Sequence, residues 1–244
     1  MRIPRFYLPA HYQPGLQITL SKEQAHYALS VLRLKNGHCV EVFDGQGQRA
    51  FAQLYSQSRR DAEVHLQQVE TYRIESPLNT VLVQAISRGE RMDYSLQKAV
   101  ELGISAIQPV FTERCEVRLD EEKSDKRRQQ WQALVISACE QSGRTVVPQV
   151  HTPISLAHWL EQDALTGIVL DPYAQATLAQ ITSPMPSQPW HILIGPEGGL
   201  TDSEVQQAHK QGLTPLRLGG RILRTETAAP VILALVQNRW GDLN

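Results

Sequence analysis

The chain has 244 residues, of which 41% are hydrophobic and 20% are charged, and its formal net charge is −1. This length and balance predict an ordinary globular protein with one large or two modest domains. No apolar run approaches the roughly 20 residues of a membrane helix, and the first residues lack the apolar core of a secretory signal. We therefore expect a cytoplasmic protein without a membrane partner.

The cysteine and arginine usage points in the same direction. Cys39, Cys115 and Cys139 are scattered without metal-ligand spacing, which predicts a reducing compartment and no metal site. The basic residues are 18 arginines and 6 lysines. Arginine offers a planar fork that suits phosphates and base edges. Genome composition alone can produce the same excess, so the arginines by themselves do not establish nucleic-acid binding.

The first 72 residues predict a small β-rich unit. Short apolar or alternating segments predict five strands, at residues 2–8, 16–20, 38–44, 49–55 and 62–69. One helix is expected after Ser21, where Gln24 completes the spacing of a capping box. Five strands and one helix in so short a segment predict a small barrel.

From residue 73 onward, strands and helices alternate. Apolar strands are predicted at residues 80–86, 104–111, 167–170 and 192–194. Helices are predicted at residues 91–102, 120–142 and 155–161, and two more after the glycine-rich segments described next. This alternation predicts an α/β domain with a mostly parallel sheet.

Two glycine-rich segments in the last third each end an apolar strand and precede a helix. The first is Gly195–Gly199, followed by the capping-box spacing of Thr201 and Glu204. Neither G-x-G-x-x-G nor a P-loop is present, and Glu197 adds negative charge where a phosphate would lie. A ligand with a positive centre fits better, although a plain turn that needs positive φ is the alternative.

The second glycine-rich segment contains Gly219 and Gly220 and leads into the sequence RILRTETA. Ile222 and Leu223 lie between two arginines and are expected to face inward. Thr225 is predicted to cap the following helix. An exposed basic loop would account for the same residues, but two glycine-rich strand ends so close together favour a site.

Other charged residues follow predicted strands or end a helix. Arg88 and Arg114 come just after strands, and ligands gather at the carboxyl ends of strands in open α/β sheets. Glu140 and Arg144 lie at the end of the long helix, where a cation is ordinary because it complements the helix dipole. No histidine pairs with a serine or cysteine in a triad order, so a hydrolase is not indicated.

Several segments together resemble the RsmE family, which are SPOUT (α/β-knot) methyltransferases that methylate N3 of one uridine in 16S ribosomal RNA, conventionally numbered 1498. The resemblance spans the chain. The segments that carry it are VLRLKNG, VFDGQGQ, SRGERMDYSLQKAVELGISAIQPVFTERC, ACEQSGRTVVP, LIGPEGGLTDSE and LGGRILRTETA.

The resemblance implies that residues 1–72 form a PUA-like RNA-binding β-barrel. It implies that residues 73–244 form a SPOUT methyltransferase domain, an α/β fold with a trefoil knot. The knotted loops would bind S-adenosylmethionine (SAM), with S-adenosylhomocysteine as product and no metal. The partners would be 16S rRNA, within the 30S subunit, and a second copy of the chain in a homodimer.

The same resemblance, carried over by position, implies which residues line the cofactor pocket: Leu170, Ile194, Gly195, Pro196, Glu197, Gly198, Leu218, Gly219, Ile222, Leu223 and Arg224. If so, Gly195–Gly199 and Leu218–Arg224 must lie together in space. Opposite positions in the domain would contradict this interpretation.

Side-chain chemistry suggests which residues act on the substrate. Uracil N3 loses a proton, and an arginine fork would stabilise the negative charge that spreads onto the flanking oxygens. The candidate arginines are Arg88, Arg114, Arg144 and Arg224, and the candidate proton acceptors are Glu140 and Glu226. The candidate RNA contacts of the barrel are Arg2, Arg5, Arg33 and Lys35.

Two other functions stay open. A SPOUT enzyme could modify a different RNA target, for example a ribose 2′-hydroxyl. A catalytically silent ribosome-assembly factor could use the barrel to hold RNA. The intact glycine-rich segments argue against the silent factor, because an unused pocket has no physical need for them.

Overall fold

The computed structural model describes residues 3–56, 58, 61–72, 74–117 and 120–243. The chain forms two compact units, of which the first is Met1–Glu75 with Cys139–Val147 and the second is Ser76–Ala138 with Pro148–Asn244. The domain boundary predicted from the sequence, between residues 72 and 73, did not assign the segment Cys139–Val147 to the first unit. Arg5 shows why this segment packs in the first unit, because its guanidinium donates to the carbonyl oxygen of Cys139 at 2.8 Å.

The first unit is built on a five-stranded sheet in the order β1-β3-β4-β5-β2. Strand β1 runs parallel to β3, and the other pairs are antiparallel. The alternating segments of the sequence form all five predicted strands, which are β1 Arg5–Tyr7, β2 Gln17–Thr19, β3 Cys39–Phe43, β4 Gln48–Ser56 and β5 Ala62–Thr71. Their inward-facing residues, with the helix described next, surround one apolar core.

Helix α1, Lys22–His26, begins where the capping box predicts. The Ser21 hydroxyl accepts from the Gln24 amide at 3.2 Å, and the Gln24 side chain accepts from the Ser21 amide at 3.1 Å. The helix continues as a π-helical turn over Tyr27–Val31. Ala25 and Ala28 are fully buried, so the two small residues anchor this helix against the sheet.

The second unit contains a parallel sheet in the order β12-β10-β11-β6-β7-β8, with β9 also paired to β7. Its strands are β6 Thr80–Ala85, β7 Ala106–Phe111, β8 Gln149–Val150, β9 Ile154–Ser155, β10 Gly167–Leu170, β11 Trp190–Ile194 and β12 Leu213–Leu216. The helices are α2 Glu90–Glu101, α3 Glu121–Ser142, α4 Leu156–Trp159, α5 Asp202–Lys210 and α6 Thr225–Trp240. Helix α3 starts in this unit, and its last turn belongs to the first.

Helices cover both faces of this sheet, which explains why its strands are apolar on both sides. On one face, Val83, Val169 and Leu193 form a core with residues of α4 and α5, including Trp159 and Ala208. On the other face, α6 contacts β11 and packs against α2. The predicted mostly parallel α/β domain is therefore present.

The start of helix α6 differs from the prediction. The expected cap at Thr225 is wrong, because Arg224 occupies the N-cap position and the Thr225 hydroxyl donates to the carbonyl oxygen of Gly195 at 2.8 Å. Pro230 lies in the second helical turn and not in the first. Its ring nitrogen has no hydrogen, so the carbonyl of Glu226 loses its usual intrahelical partner.

Within the described ranges, none of the helices has both the length and the apolar character needed to cross a lipid bilayer.

Candidate functional site

A cavity of about 650 Å³ lies at the carboxyl ends of three neighbouring parallel strands. Leu170, Ile194 and Leu216 are the last residues of β10, β11 and β12, and all three line it. Parallel strands bring their carboxyl ends to one edge of a sheet, so the loops that follow them meet there. The volume falls in the range of small-molecule sites, which is roughly 300–1,000 Å³.

The first wall of the cavity is the tight turn Gly195–Leu200 after β11. The Gly199 amide donates to the Pro196 carbonyl at 2.9 Å, which folds the turn back on itself. A Cβ atom on Gly195 would lie 3.0 Å from the backbone nitrogen of Leu200. A side chain at Gly195 would therefore require the backbone of the turn to shift.

The second wall is the segment Leu216–Thr225, between β12 and α6. Leu218 and Leu223 give it an apolar surface that is partly shielded from solvent. Ile222 lines the cavity but is 73% exposed, so the expectation that it faces inward is wrong. The Thr225 hydroxyl bonded to Gly195 joins the two walls, and the glycine-rich segments lie together as predicted.

Two carboxylates and one arginine form an ion-pair cluster at the cavity. Arg91 Nη1 donates to Glu197 Oε1 at 3.0 Å, and Arg91 Nε lies 3.8 Å from Glu226 Oε1. The Arg88 backbone amide also donates to Glu197 Oε1, at 3.1 Å. Partial burial alone would raise the pKa of Glu197, but these hydrogen bonds outweigh it and hold the pKa below its usual value.

Arginines surround the rest of the cavity. Arg114 Nη1 donates to the carbonyl oxygens of Gly198 at 3.1 Å and Leu200 at 3.3 Å, which braces the first wall. The exposed side chains of Arg221 and Arg224 line the second wall. Carboxylates and arginines therefore both line a cavity whose walls also contain apolar residues.

Most of the residues predicted to hold a cofactor line this cavity. Ten of the eleven are among its lining residues, and Gly219 is not. Of the residues predicted to act on the substrate, Arg114, Arg224 and Glu226 line it. The Arg88 side chain does not line it and instead pairs with Glu116 at 2.8 Å. The individual roles of all these residues remain predictions.

Glu140 and Arg144, which were also predicted to act on the substrate, belong to the first unit, and their catalytic roles stay predictions. Both side chains serve the packing of the first unit. Arg144 Nε donates to Glu75 Oε2 at 2.8 Å, and its side chain is only 8% exposed. Glu140 Oε1 accepts from the Tyr7 amide at 3.0 Å, and burial raises the pKa of this carboxyl. Neither group lines the cavity.

The predicted RNA contacts have different environments. The Arg5 side chain is only 7% exposed, and its Nε donates to Glu41 Oε1 at 2.7 Å. Its role as an RNA contact stays a prediction. Arg33 and Lys35 are exposed. Arg2 lies outside the described residues.

Sequence reasoning missed Arg91, Asp171, Tyr173 and Thr225, which all line the cavity. Asp171 and Tyr173 follow β10 directly, so the rule that ligands gather at strand carboxyl ends could have found them. Arg91 and Thr225 gave no comparable signal. Their partners, Glu197 and Gly195, are far away in the sequence.

No group of three or more histidine, cysteine, aspartate or glutamate side chains within the described ranges could hold a metal ion.

Comparison with known proteins gives consistent matches along the whole chain. Residues 74–237 match the model of an RNA methyltransferase domain, and residues 20–67 match an RNA methyltransferase PUA domain. The chain is 34% identical to the ribosomal RNA small subunit methyltransferase E of Buchnera aphidicola subsp. Schizaphis graminum, with 100% of this chain and 99% of that protein covered.

Two solved structures are similar over 100% of both chains. One is a Legionella pneumophila protein in complex with the bound cofactor SAM, at a TM-score of 0.94 and 37% identity. The other is a ribosomal RNA small subunit methyltransferase E from Neisseria gonorrhoeae bound to S-adenosyl methionine, at a TM-score of 0.91 and 41% identity.

Proposed function

The chain belongs to the RsmE family of ribosomal RNA small subunit methyltransferases, and from this premise we propose that it methylates N3 of one uridine in 16S rRNA, at the position conventionally numbered 1498. Family membership makes it a SAM-dependent rRNA methyltransferase. The predicted fold class is confirmed, with a PUA-like N-terminal domain and a C-terminal SPOUT α/β domain.

The observation that carries the proposal is the meeting of two glycine-rich strand ends in one cavity. SAM has a positive sulfonium and no phosphate, so its pocket needs apolar walls and negative charge. Leu170, Ile194 and Leu223 provide apolar walls, and Glu197 provides a carboxylate held in its ionised form. The residues present therefore fit this cofactor, which when bound supplies the methyl group on its sulfonium.

The chain's own residues would prepare the uracil ring for attack. N3 of neutral uracil carries a proton and is a poor nucleophile, so the site needs a proton acceptor and a cation for the resulting negative charge. Of the two predicted acceptors, Glu226 lines the cavity. Arg114 and Arg224 also line it and could face the carbonyl oxygens that flank N3.

The assembly proposed for this enzyme follows the family resemblance. We propose a homodimer that acts in the cytoplasm on 16S rRNA within the 30S subunit. The exposed arginines at the cavity support an RNA substrate because they can meet phosphates beside the target base. Light scattering of the purified protein would give the mass of a dimer, and a monomer mass at micromolar concentration would contradict this part.

Methyl transfer to unmethylated 30S subunits tests the reaction directly. The protein is incubated with labelled SAM and either 30S subunits or naked 16S rRNA, and reverse transcription then maps the product. Methylation of N3 blocks base pairing, so we expect label in the RNA and a transcription stop at a single uridine. Label without a stop would indicate ribose methylation, and no label would indicate an RNA-holding factor.

A further inference from the structure

A buried row of polar groups connects strand β6 to both walls of the cavity. Gln84, in β6, is fully buried, and Thr225 is 6% exposed. Gln84 Nε2 donates to Thr225 Oγ1 at 3.0 Å, and Thr225 Oγ1 donates to the Gly195 carbonyl at 2.8 Å. Gln84 Nε2 also donates to the Ala85 carbonyl, at 3.1 Å. The amide thus uses both hydrogens, and the hydroxyl must point its own hydrogen at Gly195.

The Thr225 hydroxyl does not serve its own helix. A threonine at the N-cap position usually accepts from a backbone amide of the first turn, but Thr225 is the first residue inside the helix. Here the N-cap is Arg224, which makes no side-chain cap bond. The hydroxyl instead spans 30 positions of the sequence. The contact therefore ties the start of α6 to the residue that follows β11.

What it holds in place is the spacing of the two cavity walls. Within the described part of the chain, Thr225 Oγ1 to Gly195 is the one direct hydrogen bond between Gly195–Leu200 and Leu216–Thr225. Arg91 adds an indirect connection through Glu197 and Glu226, but its side chain is 43% exposed. A buried hydrogen bond fixes geometry more firmly than an exposed ion pair, which solvent weakens.

We propose that Thr225 is a positioning residue for the cofactor, which sets the separation of the two walls with Gln84 as its support. This inference rests on the proposed function, because it assumes that the cavity holds SAM. Loss of the hydroxyl would let the walls separate. It would also remove the Thr225 partner of the Gly195 carbonyl and of one N–H of the Gln84 amide, whose other N–H still donates to Ala85. A buried polar group that loses its partner is the more damaging consequence.

The test is titration of SAM into the purified full-length protein and its variants, without RNA. Thr225→Val keeps the branched shape and removes the hydroxyl, and we expect its Kd for SAM to rise roughly tenfold. Thr225→Ser keeps the hydroxyl and should bind as the wild type does. Gln84→Leu leaves the bond to Gly195 and should weaken binding by roughly threefold. Thr227→Val, at an exposed position of the same helical turn, is the matched control.

Wild-type affinity in Thr225→Val, or equal losses in Thr225→Ser and Thr225→Val, would overturn the proposal. A lower melting temperature with unchanged affinity would show a purely structural role and would also overturn it. If Thr225→Val does not fold, Gln84→Leu decides, and wild-type affinity in that variant counts against the proposal. SAM binding needs no RNA, so failure of the uridine assay with normal SAM binding would refute the proposed reaction alone.

Discussion

At the scale of single residues, the surroundings of Glu226 are those of a proton acceptor. One oxygen lies 3.8 Å from Arg91 Nε, and the other is buried without a hydrogen-bond partner among the described residues. An unpartnered carboxylate oxygen at a cavity is ready to accept a proton from a ligand.

Replacement of Glu226 by glutamine should therefore strongly reduce turnover and spare the fold. We expect methyl transfer to 30S subunits to fall about 100-fold or more, because the amide cannot take the N3 proton. SAM binding should persist. Glu140→Gln is the matched control, since glutamine can still accept from the Tyr7 amide, and it should keep wild-type transfer rates. Normal rates in Glu226→Gln would remove this residue from the mechanism.

Strand β10 depends on a glycine where it meets β11. Gly167 has φ of +140°, and a Cβ atom there would lie 1.9 Å from the His191 carbonyl oxygen. Gly167→Ala should lower stability by about 3 kcal/mol or more, because the backbone of β11 must move away. Gly220→Ala should change stability by less than about 0.5 kcal/mol, since its Cβ meets nothing within 4 Å. Urea unfolding of both variants measures the difference, and equal losses would contradict it.

Strand β11 contains a histidine that should make stability depend on pH. Burial lowers the pKa of His191 below its ordinary 6.5, although its hydrogen bond to the Thr166 carbonyl opposes the shift. Below about pH 6.5 the unfolded chain therefore binds more protons at this histidine than the folded chain does. The contribution of His191 to folding stability is thus complete above that pH and is lost on acidification. We expect the melting temperature to fall between pH 7.5 and pH 5.5.

His191→Asn should reduce that fall, because asparagine does not titrate and can still donate to Thr166. Part of the fall should remain, since burial also lowers the pKa of His151. An identical fall in His191→Asn and the wild type would show that this histidine does not contribute.

Elements were predictable where their signals are local. The Ser21 and Thr201 capping boxes and the apolar run of β6 depend on neighbours within a few residues, and all three have the predicted structure. The start of α6 was not predictable in detail. Thr225 does not cap the helix there, and its hydroxyl donates to the Gly195 carbonyl instead. No local sequence pattern predicts a contact between residues 30 positions apart.

The same distinction explains why the long-range partners of two candidate residues were not predicted. Arg144 follows a helix C-terminus, which gave it an ordinary local explanation, but its partner Glu75 is 69 positions away. Glu140 likewise accepts a hydrogen bond from the backbone amide of Tyr7, which is 133 positions away. The cavity walls were predictable because glycine-rich strand ends are local features and a parallel sheet collects them at one edge.

At the scale of the whole molecule, the net charge is only −1, so the protein as a whole does not attract RNA. RNA binding must therefore depend on basic patches at particular places on the surface. Arg33 and Lys35 are the described and exposed members of the predicted RNA contacts. Changing both to alanine should weaken 30S binding and reduce the slope of log K against log salt by about 2, or roughly one per phosphate contact. Lys210→Ala is a control of equal charge type. An unchanged slope would exclude both residues from the interface.

The central claim is methylation at N3 of one uridine, and nucleoside analysis of the product tests it most directly. Unmethylated 30S subunits are incubated with the protein and SAM, and their 16S rRNA is digested and separated by chromatography with mass spectrometry. We predict 3-methyluridine at one residue per subunit, formed about 100-fold or more slowly with Glu226→Gln. A 2′-O-methylated nucleoside, or unmodified uridine after exhaustive incubation of the wild-type protein, would contradict the account.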